Sequence, residues 1–330
     1  MNKKEKEIYH WLMAKPGYLK KSALEVQRLY FKRDSLQNVY NALLQARKDT
    51  KNGVRIINST TENVLVKAES TIGLPTSVLG KYRHTPGTYY VTGCAHAPWQ
   101  NKLMYDKNIN FLKKEVDLEG IILAGDCVDL NSLSSHDKGK TPIPGVTLSW
   151  EYEEANKFLD LFDELKINGT KDYIYGNHED RYLRLMKNND EAKYGSSLKS
   201  PEEGLKLAER GYNVYKDWKN DAIHLGNHLD ICHGEFLNIH SAKKTIDTYR
   251  KSCLYFHTHR FQIYVEGLVG GFNMGFGGDI TAPIFGFATR AMKNSWVNSS
   301  CLVTLDKNGY YHVEPLMFIN NKLIVAGKEY

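Results

Sequence analysis

Five short apolar runs, each stopping at a histidine, aspartate or asparagine, constrain this chain more than any other feature. They are TYYVTG before Cys94-Ala95-His96, GIILAGD ending at Asp126, DYIYGNH ending at Asn177-His178, LDICHG carrying His233, and CLYFHTH carrying His257 and His259. Apolar runs this short, separated by helical stretches, predict buried strands in an α/β domain. Strands buried in such a sheet put their C-terminal ends on one edge, so loops from several of them converge on one crevice. EYEEANKFLDLFDELK and SAKKTIDTYRKS read as covering helices, and LVTLDKNGYYHVEPLMF reads as a hairpin turning at Lys307-Asn308-Gly309. The glycine-rich GLVGGFNMGFGGD reads as turns near the crevice with no chemistry of its own.

In order, the strand ends give Cys94-x-His96, Gly125-Asp126-x-x-Asp129, Gly176-Asn177-His178-Glu179, His233-Gly234 and His257-x-His259. This series resembles the motifs of the calcineurin-like metallophosphoesterases, over nearly everything from Thr88 to the C-terminus. The resemblance implies an α/β sandwich of two mixed β-sheets flanked by helices, with two divalent metal ions (manganese, zinc or iron) at the strand ends. Two such cations about 3.5 to 4 Å apart need a bridging carboxylate and nitrogen or oxygen ligands around it. By the same resemblance one metal is held by position 94, His96, Asp126 and His259, and the other by Asp126, Asn177, His233 and His257. As a neutral oxygen donor, Asn177 limits the negative charge facing an anionic phosphate. His178 would stand beside the metals and donate a proton to the leaving oxygen, or stabilise charge on it. Arg181 matches a phosphate-contacting arginine in part of the family, and its alternative is a salt bridge to Glu179 or Asp180. Asp129 either orients a ligating histidine or caps the helix that follows. His136 either reaches substrate from its loop or is simply solvated. Cys127 and Cys232 adjoin ligand positions, but neighbours along a strand point to opposite faces, which puts both in the core.

At position 94 the chain departs from its pattern: the family usually has Asp-x-His where Cys94-x-His96 stands. Two cations would lower the pKa of a thiol well below its free value of about 8.5, so Cys94 can ligate as a thiolate. A thiolate is softer than a carboxylate, which favours zinc or iron over manganese or magnesium in that site, or leaves it weak. The alternative is a first metal held by His96, Asp126, His259 and water alone.

Protein phosphatases of the family carry an arginine directly after the second aspartate of the Gly-Asp motif, whereas Leu130 follows Asp129 here. They also lack the His-x-His pair. Members that have it, seen here as His257-Thr258-His259, are mostly phosphodiesterases and nucleases, although the usual preceding glycine is Phe256 here. The resemblance therefore favours a phosphodiesterase or nuclease acting on nucleic acid or nucleotides by two-metal activation of water. A phosphomonoesterase, and a nucleic-acid-binding protein with a weakened metal centre, are the alternatives.

The net charge of +6 is unevenly placed, because residues 1–51 hold 12 lysines and arginines against 5 acidic residues. That basic excess sits on a helical pattern. Ile8, Trp11 and Leu12 share one face, then a break comes at Lys15-Pro16-Gly17. Ser22 with Glu25 opens a second helix striped by Val26, Leu29 and Tyr30, and Asp34 with Gln37 opens a third through Leu36, Val39, Tyr40, Leu43 and Leu44. Residues 1–50 thus read as a basic domain resembling a helix-turn-helix module. Its third helix would offer Gln37, Asn38, Asn41, Gln45, Arg47 and Lys48 to a DNA groove, with Lys20, Lys21, Lys32 and Arg33 facing phosphates. A basic appendage packing on protein is the alternative. Residues 51–87 read as a linker or small wing-like hairpin, and 88–330 as the phosphoesterase domain. The five scattered cysteines fit a reducing compartment. With neither a signal peptide nor an apolar run long enough to span a membrane, the expectation is a cytoplasmic protein, in the host cytoplasm if the chain is of the bacteriophage type that the whole arrangement resembles.

Overall fold

The computed structural model of the chain describes residues 3–14, 39, 42–43, 45–46, 54–59, 62–67, 84–134, 143–187 and 198–330. The chain divides into two compact units, Met1–Ile72 and Gly73–Tyr330. In the first unit, helix α1 (Lys3–Ala14) buries Ile8, Tyr9 and Leu12, a spacing that places them on one face. Val39, Ala42, Leu43 and Ala46 are helical and buried. Strands β1 (Val54–Ser59) and β2 (Glu62–Lys67) pair antiparallel as a hairpin. The Ser22-Glu25 and Asp34-Gln37 boxes, the phosphate-facing basic residues and His136 lie outside the described residues.

The second unit is a mixed α/β sandwich. Its strands β3 (Gly87–Thr92), β4 (Leu118–Ala124), β5 (Lys171–Ile174) and β6 (Tyr212–Tyr215) run parallel as neighbours. The antiparallel strands β12 (Ser299–Leu305) and β13 (Tyr311–Ile319) extend that sheet beyond β3 as a hairpin, and two short strands, β14 (Lys322–Val325) and β15 (Lys328–Glu329), complete it to 8 strands. The facing sheet has 5 strands in the order β10-β11-β9-β8-β7: Phe261–Glu266, Val269–Met274, Ser252–Tyr255, Leu229–Ile231 and Ile223–Leu225. In it β8, β9 and β11 are parallel and both edges are antiparallel.

Alternation along the strands builds two cores from one sheet. Tyr89, Val91, Ile122, Ala124 and Val303 point between the sheets and meet Leu229, Ile231, Leu254 and Met274. Their neighbours Tyr90, Ile121, Leu123 and Leu302 point the other way, onto helices α2 (Lys102–Glu115) and α3 (Leu148–Asp163) through Tyr105, Ile109, Phe158 and Phe162. Helix α3 begins three residues before the acidic run read from the sequence, because the Thr147 hydroxyl accepts from Trp150 N–H and fixes the N-terminus there. Each strand end that carries the motifs therefore emerges at one edge, between the two sheets.

The glycine-rich segment differs from its expected turns: Val269–Met274 is a strand, paired to β10 on one side and β9 on the other. A Cβ at Gly271 would run into the Ala242 carbonyl of helix α4 (Ser241–Tyr249), which covers this sheet, so glycine lets helix and strand backbones approach. Among the described residues no helix is long and apolar enough to cross a membrane.

Candidate metal centre

The backbone brings the motif loops together before any side chain does. Cys94 N–H donates to Gly125 O and His96 N–H to Asp126 O, each at 2.9 Å, while His257 N–H donates to His233 O at 3.3 Å. Cys94, His96, Asp126 and His259 all have φ between 47° and 62°, the left-handed region that costs a non-glycine residue roughly 1 kcal/mol or more. Four such residues meeting at one point mark a site held in shape by its surroundings.

Glu179 does much of that holding. Its fully buried carboxylate accepts from Gly176 N–H (2.8 Å), Cys127 N–H (2.9 Å), Asp126 N–H (3.0 Å), Val128 N–H (3.3 Å) and the Tyr173 hydroxyl (2.7 Å). One side chain thus ties the loop after β4 to the loop after β5. Burial first, then the neighbouring Asp126 carboxylate, raise its pKa. The salt bridge considered for Arg181 with Glu179 or Asp180 is therefore not the one that forms: Glu179 faces inward, and Asp180 pairs with Arg184 at 3.1 Å. Nor does Asp129 cap the next turn, whose Asn131 and Ser132 N–H groups instead go to the buried Glu151 carboxylate at 2.6 and 3.1 Å.

Asp129 orients histidines. Its carboxylate lies 3.0 Å from His96 Nδ1, which fixes the proton there and leaves Nε2 as a lone pair aimed at His259 Nε2, 3.1 Å away. It also lies 3.2 Å from His178 Nδ1 and 3.3 Å from Arg181 Nη1. Arg181 Nη1 donates further to Asp129 O at 2.8 Å, and its Nη2 stands 3.3 Å from His178 Nε2. Burial alone would raise the Asp129 carboxyl, but His178 and His96 outweigh it and hold it well below the usual range.

A second constellation lies across Asp126. His233 Nδ1 faces the Ala124 carbonyl at 3.1 Å and so carries a proton, which turns Nε2 toward Asn177 Oδ1 (3.1 Å) and Asp126 Oδ2 (3.3 Å). A ring lone pair facing two oxygens is stable only with a proton or a cation among them. Asp126 is held well below the ordinary carboxylate range, because His178 and His233 outweigh the effect of burial. In return Asp126 outweighs burial at His233 and raises it. Burial first, then His233, lower His257 to about 3, and its Nδ1 is buried without a hydrogen-bond partner among the described residues. Burial, then His96, hold His259 well below its ordinary value.

All ten predicted residues meet at this edge. His96, Asp126, Asp129, Asn177, His178, Arg181, His257 and His259 line a cleft of about 800 Å³, with Cys94 and His233 fully buried behind it. The Cys94 sulfur lies within 4.8 Å of ligand atoms of His96 and His259, and also of Asp126 and His233. Burial first and then Asp126 raise its pKa well above that of a free thiol, so only a cation would make it a thiolate here. The donor set fits a divalent metal: thiol, imidazole and carboxylate atoms gather within 4.8 Å of one another in a buried pocket, and a Cβ at Gly176 would collide with Asp126 Oδ1. Rings pack both sides of this cluster. Phe276 stacks on His259 at 4.7 Å and Trp296 meets it edge-on at 4.6 Å, while Trp218 lies 5.9 Å from both His233 and His257.

No protein-family profile matches the chain, and no curated protein sequence matches it. Among solved structures, vacuolar protein sorting 29 from Cryptosporidium parvum is similar over 74% of this chain and 98% of its own, at 13% identity and a TM-score of 0.41.

Proposed function

We propose that the chain is a metal-dependent phosphoesterase, and within that class a phosphodiesterase or nuclease acting on nucleic acid or nucleotides. The observation that carries the reading is the convergence of imidazole, carboxylate and amide lone pairs from five strand ends on the floor of one large cleft. The order of the motifs, which resembles that of the calcineurin-like metallophosphoesterases, supports it. Cys94, His96, Asp126 and His259 would hold one divalent ion, and Asp126, Asn177, His233 and His257 the other. When bound, such ions polarise the phosphoryl oxygens and lower the pKa of water so that it attacks phosphorus near neutral pH.

The chain's own residues then orient and protonate. Asp129 keeps His96 in the Nδ1–H tautomer, with its ring nitrogen Nε2 free to ligate. His178 Nδ1 is held by the Asp129 carbonyl at 2.8 Å, so Nε2, which faces Arg181 Nη2 at 3.3 Å, would give a proton to the leaving oxygen only when the ring carries its second proton. Asp126 and Asp129 favour that proton and outweigh burial and Arg181, so the pKa of His178 is raised. A cleft of this size has room for substituents on both sides of a diester. The basic excess of residues 1–51 would bring the enzyme to DNA. Reversing the charge of Lys20, Lys21, Lys32 and Arg33 should weaken DNA binding at low salt, and unchanged binding would remove that part of the proposal.

The test is hydrolysis of bis-p-nitrophenyl phosphate by metal-stripped protein, with manganese, zinc or iron(II) restored one at a time and the monoester run beside it. Diester cleavage that depends on the added metal is the expected result. Silence with every metal rejects the enzyme and leaves a nucleic-acid-binding protein; preference for the monoester rejects the diester assignment. His178→Ala should lower turnover by about 10²-fold or more, and near-wild-type turnover would remove its role as proton donor.

A further inference from the structure

The cleft has a second wall that the metal cluster does not need. Its 3-10 turn Pro283–Phe287 buries Phe285 against the rings of His96, His259 and Trp296, and this packing fixes the turn that carries Phe287, which is 66% exposed. Leu237, 64% exposed, and Met292 line the same cleft. Single exposed apolar side chains are ordinary, but several around one polar cleft mark a surface that something apolar covers. The volume of about 800 Å³ is also far more than one phosphate group requires, and lies within the range that encloses a whole drug-sized molecule.

The cleft's two arginines are not equivalent. Arg181 is committed to the Asp129 carboxylate and carbonyl. Arg260, one residue past His259, donates only to neutral oxygens: Nε to Ser295 Oγ at 3.3 Å and Nη1 to the Leu237 carbonyl at 3.1 Å. Among the described residues it has no carboxylate partner, so a fixed positive charge stands uncompensated in the lining of the cleft. A guanidinium so placed suits the oxygens of an anionic diester, and an exposed ring on a turn anchored by Phe285 suits a flat aromatic substituent.

We infer that the cleft selects phosphodiesters bearing a nucleobase, with Phe287 as the stacking face and Arg260 holding a non-bridging phosphate oxygen. The inference rests on the reading of this cleft as a phosphoester site, and it assigns the anion contact to Arg260 where the sequence pointed to Arg181. The test compares two diesters that lose the same p-nitrophenolate from phosphorus, thymidine 5′-(p-nitrophenyl phosphate) and methyl p-nitrophenyl phosphate, on protein loaded with whichever of manganese, zinc or iron(II) supports diester cleavage best. The thymidine ester should have the lower KM by about tenfold. Phe287→Ala should collapse the ratio of the two KM values toward one, and Phe287→Leu, which keeps apolar bulk, should restore only part of it. Arg260→Gln should raise KM for both esters with a smaller change in kcat, and Arg260→Lys should recover part of the loss. Equal KM values in the wild type, or a ratio that survives Phe287→Ala, would overturn the inference while leaving the phosphodiesterase intact. If neither ester is cleaved with any metal, calorimetry with thymidine 5′-monophosphate decides. Binding that Phe287→Ala weakens keeps the nucleobase site and rejects the enzyme, whereas no binding rejects both.

Discussion

Replacing Glu179 by glutamine removes no volume and leaves every proposed metal ligand in place, yet it should loosen the centre. The carboxylate accepts five hydrogen bonds, two at Oε2 from Asp126 and Gly176 N–H and three at Oε1 from Cys127 N–H, Val128 N–H and the Tyr173 hydroxyl. A glutamine must set its NH₂ against one of these groups of donors. The cheaper choice is the Oε1 side, where the Tyr173 hydroxyl can turn and accept, so the unavoidable losses are the 2.9 Å bond from Cys127 and the longer one from Val128. An unmade buried hydrogen bond costs about 1–3 kcal/mol, and relief of a buried charge offsets part of it, leaving a destabilisation of about 2 kcal/mol. For a unit of this size that lowers Tm by about 4–8 °C. Thermal unfolding of metal-free Glu179→Gln beside wild type measures it, and manganese titration should show weaker binding because the Asp126 loop is no longer pinned. A Tm within about 1 °C of wild type with unchanged metal affinity would refute the assignment of Glu179 as the tie between the two loops.

Asp129→Asn removes the charge that orients His96, His178 and Arg181, and metal affinity should fall about 10- to 100-fold in a chelator competition. Cys94→Asp should raise manganese-dependent turnover if the thiol is what weakens the first ion's site; a loss would show that the sulfur has a purpose of its own. His257, held near 3, stays neutral in the folded protein while its unfolded form takes a proton near pH 6.5. Its contribution therefore destabilises the metal-free fold as pH falls from about 6.5 toward 3, by up to about 1.4 kcal/mol per pH unit. His257→Asn should reduce the slope of stability against pH in that window, and an identical slope would refute the shift.

The strand ends were legible because buried strands and strand-end ligands leave a repeated mark: TYYVTG, GIILAGD, DYIYGNH, LDICHG and CLYFHTH each form a strand that delivers its polar residue to the common edge. Less legible was what depends on burial direction. Glu179 reads as one more acid in a polar turn, and only the fold reveals that five donors surround it. Likewise the glycines at 270 and 271 read as turns, because nothing local says that a helix will press against that strand. Arg260 and Phe287 carry no motif at all. Their placement comes from the packing of Phe285 and from the Leu237 loop, which are contacts distant in sequence.

The rings flanking the histidines give the protein its own optical readout. Trp218 sits against the His233–His257 pair and Trp296 against His259, so each proposed ion would lie beside a different indole. Fluorescence quenching by a paramagnetic ion such as manganese should then report occupancy without any added dye. Replacing one tryptophan at a time by phenylalanine would divide that signal into two, and the order in which the halves respond during a titration would give the order in which the two positions fill.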